Sequence, residues 1–276
     1  MPFRLANVAG RAALVDEQDR WYDLESRGGP SDPMAALEQP ALLAGLSAGL
    51  DGEGAAGHLA EAELRAPVPR PRNVFGVGLN YRTHAEESNM EPPSTPLVFT
   101  KFPSCIGGPN DDVVLATETG DWEVELVVVI GQGGKDIARS EVWDRIVGLT
   151  VGQDISDRAL QFAASPPHFD LGKSRDTYGP IGPVVVSTDS FSDPADLAIS
   201  CSINGDIKQD DRTTSLLFGV EELVSYLSAV MTLRCGDLIF TGTPAGVGAA
   251  SGTYLRPGDV IESTIQGIGS MVNRCR

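Results

Sequence analysis

The chain has 276 residues, 41% of them hydrophobic, with 21 Lys plus Arg against 38 Asp plus Glu; that supports one sizeable core and a smaller appendage. Its formal net charge of −17 repels phosphate backbones and anionic lipid, which excludes nucleic acid and membrane surfaces as natural partners. No apolar run approaches the roughly 20 residues of a membrane helix and Met1-Pro2-Phe3-Arg4 carries no signal-peptide core, so a soluble, cytoplasmic protein acting on small molecules or other proteins is expected.

In chain order, Phe3 to Leu24 alternates short apolar runs with turn residues, which predicts a small hairpin or meander. The Ala/Leu-rich stretch from Asp32 to Leu50, with proline at an early position, predicts one or two short helices. Ala66-Pro67-Val68-Pro69-Arg70-Pro71-Arg72 forbids helix and disfavours a central strand. It reads as a Pro-rich linker, 66–72, between a small N-terminal α/β domain, 1–65, and a catalytic domain, 73–276. Beyond Asn73 short β runs dominate, punctuated by Gly, Pro and Asp. Asn204-Gly205 suits a two-residue hairpin turn between Leu197–Ile203 and Asp206–Gln209. Helical spacing is confined to Ser140–Ile146, Ser156–Ala164 and Val220–Met231. The fold class is α+β and strand-dominated.

The chemistry starts at Asp121-Trp122-Glu123-Val124-Glu125-Leu126, which runs into Val127-Val128-Val129-Ile130. In a strand, alternate residues share a face, so Glu123 and Glu125 place two like charges beside a segment built for burial. That is costly unless a cation offsets them. Asp154 ends another short apolar run. Three carboxylates without a nearby thiolate or imidazole favour a hard divalent ion, Mg²⁺ first and Mn²⁺ or Ca²⁺ as substitutes. Cys105, Cys201, Cys235 and Cys275 are scattered, which suits free thiols rather than a zinc site or a disulfide framework.

Thr83 followed by Glu86 reads as a capping box that would start a helix and place His84 and Glu87 one turn apart, a usable general base with its carboxylate. Lys173, between Gly172 and a polar turn, could meet an anionic ligand. The glycine-rich Thr241-Gly242-Thr243-Pro244-Ala245-Gly246-Val247-Gly248 could cradle an anion through backbone N–H groups, though it lacks the lysine and the strand–loop–helix setting of a nucleotide site. Ser165-Pro166-Pro167-His168-Phe169-Asp170 is a rigid segment suited to shaping the far end of a pocket.

Taken in order, Gly78-Leu79-Asn80-Tyr81 with His84 and Glu87, Glu123-Val124-Glu125-Leu126, Asp154-Ile155-Ser156 with Arg158 and Gln161, Gly172-Lys173-Ser174, and Thr241-Gly242-Thr243-Pro244 resemble the fumarylacetoacetate hydrolase family. The resemblance runs from about Asn73 to the end and implies a mixed β-roll that forms a homodimer. It further implies Mg²⁺ on Glu123, Glu125 and Asp154, a water-activating pair in His84 and Glu87, a catalytic Lys173, and substrate contacts from Arg158, Gln161, Lys173 and Thr243. Ala159 stands where an Asp is frequent, which leaves the partner of Arg158 open. The expected substrate is a small anionic 2-oxo acid. Hydrolysis of a 2,4-dioxo acid, of the acylpyruvate or fumarylpyruvate type, is the leading expectation. Decarboxylation of an oxaloacetate-type acid or isomerisation of a 2-hydroxymuconate-type acid on the same site is the alternative.

Overall fold

A computed structural model describes residues 2–88 and 90–276; Met1, part of the N-terminal stretch read above, lies outside them. The expected meander forms as β1 (Arg4–Val8), β2 (Arg11–Val15) and β3 (Arg20–Asp23), paired antiparallel in sequence order. The Ala/Leu-rich stretch gives α1 (Pro33–Leu37) and α2 (Pro40–Ser47), each with proline in its first turn. Asp32 caps α1 by accepting from the Met34 N–H, satisfying one of the donors a helix start leaves unpaired.

Two short strands follow, β4 (Gly57–His58) and β5 (Leu64–Arg65), then β6 (Val74–Gly78), α3 (Arg82–Glu87), β7 (Leu97–Thr100), β8 (Ile106–Gly107) and β9 (Gly120–Asp121). The central pair is β10 (Val124–Ile130) and β11 (Ile146–Gln153), separated by the four-residue α4 (Val142–Arg145). Next come β12 (Ser156–Asp157), α5 (Arg158–Gln161), α6 (Phe169–Gly172) and β13 (Gly179–Val186). The expected hairpin is β14 (Ala198–Ile203) and β15 (Asp206–Arg212), with Asn204 and Gly205 both at positive φ, 53° and 85°. The chain closes with α7 (Val220–Val230), β16 (Leu238–Phe240), α8 (Gly248–Ser251), β17 (Val260–Ile265) and β18 (Gly269–Arg274).

One large mixed sheet runs β4-β3-β2-β1-β13-β11-β10-β16-β6-β7, and β15-β14-β17-β18 form a second. The N-terminal meander shares the main sheet through β1 against β13, with Arg4 opposite Val186. It also covers one face of the centre: Leu5, Leu14 and Leu37 pack in one buried cluster with Val127, Val129 and Phe240. Leu126, Val128 and Ile130, on the other face of β10, join the α7 residues Leu223 and Leu227 in a second cluster. A strand buried on both faces reads as a continuous apolar run, which is why Val124–Ile130 has no polar alternation beyond Glu125.

Two helical expectations were too long. Ser156 and Asp157 pair with Asp121 and Gly120 as strand, and Asp157 instead caps α5 by accepting from the Leu160 N–H. Ile146 is the first residue of β11 rather than the end of a helix.

The β2–β3 turn is held by one carboxylate. Asp16 accepts from the Gln18 and Arg20 N–H groups, from Arg20 Nε at 2.7 Å and from the Tyr22 hydroxyl at 2.8 Å. Burial pushes its pKa up, but these hydrogen bonds outweigh burial and hold it below the usual carboxylate value. A depressed folded pKa adds stability above the unfolded value of about 3.9 that is lost as pH falls through the folded one. Asp16→Asn is expected to cost about 1–3 kcal/mol at pH 7, with the gap from the parent closing in denaturant melts near pH 3. An equal gap at both pH values would show that charge is not its source.

Candidate functional site

The β10–β11 register assembles the carboxylates. Val124 pairs with Gln153, and one step beyond, the Asp154 N–H donates to the Glu123 carbonyl at 2.9 Å. Directly opposite residues project to the same face, and Glu125 lies two residues along, so all three converge. Ligand oxygens of Glu123, Glu125 and Asp154 lie within 4.8 Å of one another, and all three residues are buried.

Three cations meet them. Lys173 Nζ donates to Glu123 Oε2 at 2.6 Å, Asp154 Oδ2 at 2.8 Å and Ser156 Oγ at 2.9 Å. Arg158 reaches Glu123 Oε1 at 2.6 Å, and its Nη1 donates to Gln161 Oε1 at 2.9 Å. Lys101, which the sequence reading missed, is fully buried; its ammonium donates to Asp154 Oδ1 at 2.6 Å, to the Lys173 carbonyl and to the Tyr178 carbonyl. No local pattern flags it, because Lys101 follows an ordinary edge strand 53 residues before Asp154.

The electrostatics divide the carboxylates. For Glu123, burial acts upward but is outweighed by the ammonium of Lys173 and the guanidinium of Arg158, which hold it down at about 2. Glu125 is driven well above the ordinary range by burial and then by the charges of Asp154 and Glu123. Its hydrogen-bond donor is the Gly242 N–H at 2.6 Å. An all-oxygen, buried donor set with one member still short of positive charge matches the chemistry of a hard divalent ion, so these residues fit the metal that the sequence reading assigned to them.

The partner that Ala159 fails to supply comes from elsewhere. Asp121 Oδ2 accepts from Arg158 Nε at 2.8 Å and forms an ion pair with Nη2 at 2.7 Å, while Asp121 also takes the Gly248 and Ala249 N–H groups. The glycine-rich loop therefore does cradle anions, but they are the protein's own. Gly242 serves Glu125, Gly246 serves Glu87 at 2.9 Å and Gly248 serves Asp121 at 2.6 Å.

His84 and Glu87 lie on α3, with Nδ1 and Oε1 2.8 Å apart. A carboxylate can only accept here, so Nδ1 carries a proton, which leaves Nε2 as the lone-pair nitrogen of the neutral ring. The capping box does not form. The helix begins at Arg82 with Tyr81 as its cap residue and no side-chain cap, while the Thr83 hydroxyl faces Asp211 Oδ2 at 3.5 Å. Tyr81 is instead tied into backbone pairing with Leu216, which fixes the helix start without a side-chain acceptor. Thr243 lines the cavity, but its hydroxyl donates to the Val124 carbonyl and accepts from Gln209 Nε2 at 2.7 Å. Its remaining contribution to a ligand is shape and a spare lone pair.

A cavity of about 460 Å³ brings His84, Glu87, Glu123, Arg158, Gln161, Lys173 and Thr243 onto one surface. Pro167 lines it too, as the rigid segment suggested, whereas His168 does not. The four cysteines are free thiols, and among the described residues no helix is long and apolar enough to cross a membrane.

The family model described as fumarylacetoacetate hydrolase C-terminal matches residues 73–276. A fumarylacetoacetate hydrolase domain-containing protein 2 homolog of Dictyostelium discoideum is 41% identical over 227 residues, 78% of this chain and 74% of that protein. The mitochondrial oxaloacetate tautomerase FAHD2A of Bos taurus is 41% identical over 218 residues, 78% of this chain and 69% of the tautomerase. A solved structure from Mycobacterium smegmatis carrying the HpcE designation superposes with a TM-score of 0.92 at 40% identity, covering 99% of this chain and 98% of that one. Maleylpyruvate hydrolase from Sphingobium, solved with manganese(II) and pyruvate, gives 0.83 at 29% identity over 99% and 98%.

Removing the ammonium of Lys101 would leave Asp154 buried with one fewer counter-charge. Lys101→Met is expected to destabilise the protein by about 3–5 kcal/mol, the cost of breaking a buried pair from one side. Equilibrium denaturation measures it, and a loss below about 1 kcal/mol would mean that Lys173 alone balances Asp154.

Proposed function

The chain belongs to the fumarylacetoacetate hydrolase family, whose members are enzymes acting on small organic acids, and from that premise we propose that it is a divalent-metal-dependent hydrolase. Its substrate would be a 2,4-dioxo acid of the acylpyruvate or fumarylpyruvate type. The observation that carries this reading is the His84–Glu87 pair lining the same cavity as Glu123, Arg158 and Lys173. An enolate site that also needs an attacking water has a use for that base; simple loss of CO2 does not.

Arg158 and Lys173 would bind the carboxylate end, Arg158 through a planar fork and Lys173 as a point charge. Glu123, Glu125 and Asp154 would hold Mg²⁺, or Mn²⁺ or Ca²⁺ in its place; when bound, the ion supplies positive charge to steady an oxyanion on the 2-oxo acid. His84 Nε2 would take a proton from water as the water oxygen bonds to the C4 carbonyl carbon. Glu87, fixed by the Gly246 N–H, would hold the ring and offset its gained charge. The C3–C4 bond then breaks with its electron pair moving into C3 and the C2 oxygen, releasing a carboxylic acid. The proton on His84 can return to C3 to give pyruvate. Gln161, whose amide N–H₂ stays available while its oxygen serves Arg158, and Thr243 would complete the substrate contacts.

The second reading is keto–enol interconversion of an oxaloacetate-type acid, in which His84 only moves a proton at C3. The 41% identity to oxaloacetate tautomerase favours it. A homodimer belongs to the same proposal, supported by the exposed apolar side chains of Leu97 and Phe102 at the edge strand β7. So does a cytoplasmic setting, although the tautomerase above is a mitochondrial protein.

An ultraviolet screen of acylpyruvates, fumarylpyruvate, oxaloacetate enol and 2-hydroxymuconate-type acids, with Mg²⁺ and with chelator, separates the two. Hydrolysis of a 2,4-dioxo acid that chelator abolishes is expected; oxaloacetate tautomerisation with no hydrolysis would transfer the assignment to the second reading. His84→Ala and Glu87→Gln should lower kcat by about 10² to 10⁴ with metal content unchanged, and parent rates in both would sink the dyad. Asp154→Ala should weaken Mg²⁺ binding at least tenfold by calorimetry, and undiminished affinity would remove Asp154 from the ligand set.

A further inference from the structure

The cavity is polarised by depth. Glu123, Lys173 and Arg158 are only 5%, 3% and 9% exposed, whereas Phe162 and Met90, which line the same cavity, are 58% and 52% exposed. The charged side chains thus sit at its floor beside buried apolar ones such as Val77 and Val247, and the exposed side chains at its mouth are apolar. Among the described lining residues the permanent cations are Arg158 and Lys173, and both are engaged at the floor with Glu123. The remaining ionisable lining groups are His84 and Glu87. Glu87 would repel a second carboxylate, and the net charge of −17 gives no compensating field.

We infer that the outer half of the cavity receives an apolar substituent on the 2-oxo acid, so that the enzyme selects monocarboxylic substrates with an aliphatic or aromatic tail over those ending in a second carboxylate. The inference rests on the reading of the floor as a 2-oxo acid site. Phe162, Met90, Pro167, Phe169 and Ala250 form the wall that such a tail would meet. Phe169 is held in place by an edge contact with Phe99, the ring centroids 5.6 Å apart at 71°. A cavity of about 460 Å³ lies in the range of about 300–1,000 Å³ that encloses drug-sized ligands, more than a four-carbon acid fills. Each methylene added to a tail there is worth up to about fourfold in affinity, while a terminal carboxylate would lose its hydration with no cation in exchange.

Calorimetric titration of the full-length, Mg²⁺-loaded protein with two six-carbon acids tests this without turnover, since neither carries a 4-oxo group to be cleaved. 2-Oxohexanoate ends in a methyl group and 2-oxoadipate in a carboxylate; pyruvate serves as the tail-less reference. Expected is at least tenfold tighter binding of 2-oxohexanoate than of 2-oxoadipate, and tighter than pyruvate. Phe162→Lys, at an exposed position that tolerates charge, should narrow or reverse the preference. Equal or tighter binding of 2-oxoadipate by the parent overturns the inference while leaving the 2-oxo acid floor intact. An unchanged preference in Phe162→Lys overturns the assignment of selectivity to the mouth. No binding of any of the three, pyruvate included, overturns the 2-oxo acid reading and the inference with it.

Discussion

Everything at this site is organised by the need to keep three carboxylates together out of water. Glu123, Glu125 and Asp154 could not remain ionised in a buried position without opposing charge, and the fold brings cations from three separate segments to supply it. Lys101 arrives just beyond an edge strand, Arg158 from the first turn of a four-residue helix and Lys173 from the residue after another. The compensation is uneven by construction: Glu123 receives both Arg158 and Lys173, Asp154 receives both lysines, and Glu125 receives only a backbone N–H. That asymmetry leaves Glu125 as the carboxylate with most need of a further cation, while Arg158 and Lys173 line the cavity, where an anion could use them.

The glycine-rich loop is the second organising element. Gly242 and Gly246 hold φ of 105° and 104°, values that disfavour any side chain. A Cβ at Gly246 would also fall 1.9 Å from the Lys208 carbonyl oxygen. With no side chains in the way, the loop lies against three carboxylates and gives each an N–H. Asp121, Glu87 and Glu125 serve different ends of the site, so one short backbone segment sets the relative positions of the Arg158 anchor, the His84 partner and the most cation-poor carboxylate.

Much of this was legible in the sequence because it is local. The strand pattern around Glu123 and Glu125, the Asn204-Gly205 turn, the prolines opening α1 and α2 and the three-residue spacing of His84 and Glu87 are all short-range signals. What stayed hidden depends on pairing between distant segments. Lys101 carries no motif of its own; its role exists only because β7 and the turn before Tyr178 bring it to Asp154. The partner of Arg158, which Ala159 leaves open, is Asp121, 37 residues earlier. The over-long helix expected from Ser156 failed for a similar reason: its first two residues have a strand partner in β9, and tertiary pairing overrides helical spacing. The capping box failed because Thr83 sits past the cap position, inside a helix whose start is fixed by Tyr81 pairing with Leu216.

The separation of floor from mouth offers a physical reason why closely similar chains can carry different activities. The floor is over-determined: Glu123, Asp154, Arg158 and Lys173 each answer to two or more partners, and changing one leaves another buried without its counter-charge. The mouth is built from exposed or half-buried apolar side chains such as Phe162 and Met90, which can be exchanged at a cost of tenths of a kcal/mol in stability. On the proposed reading, chemistry at C2 and C3 of a 2-oxo acid would be the part that resists change, while the group beyond C4 would be met by residues free to vary. Whether an enolate would be released by bond cleavage or only reprotonated would then depend on what the mouth admits: a 4-oxo group would give the water a carbonyl to attack, and its absence would leave His84 only a proton to move.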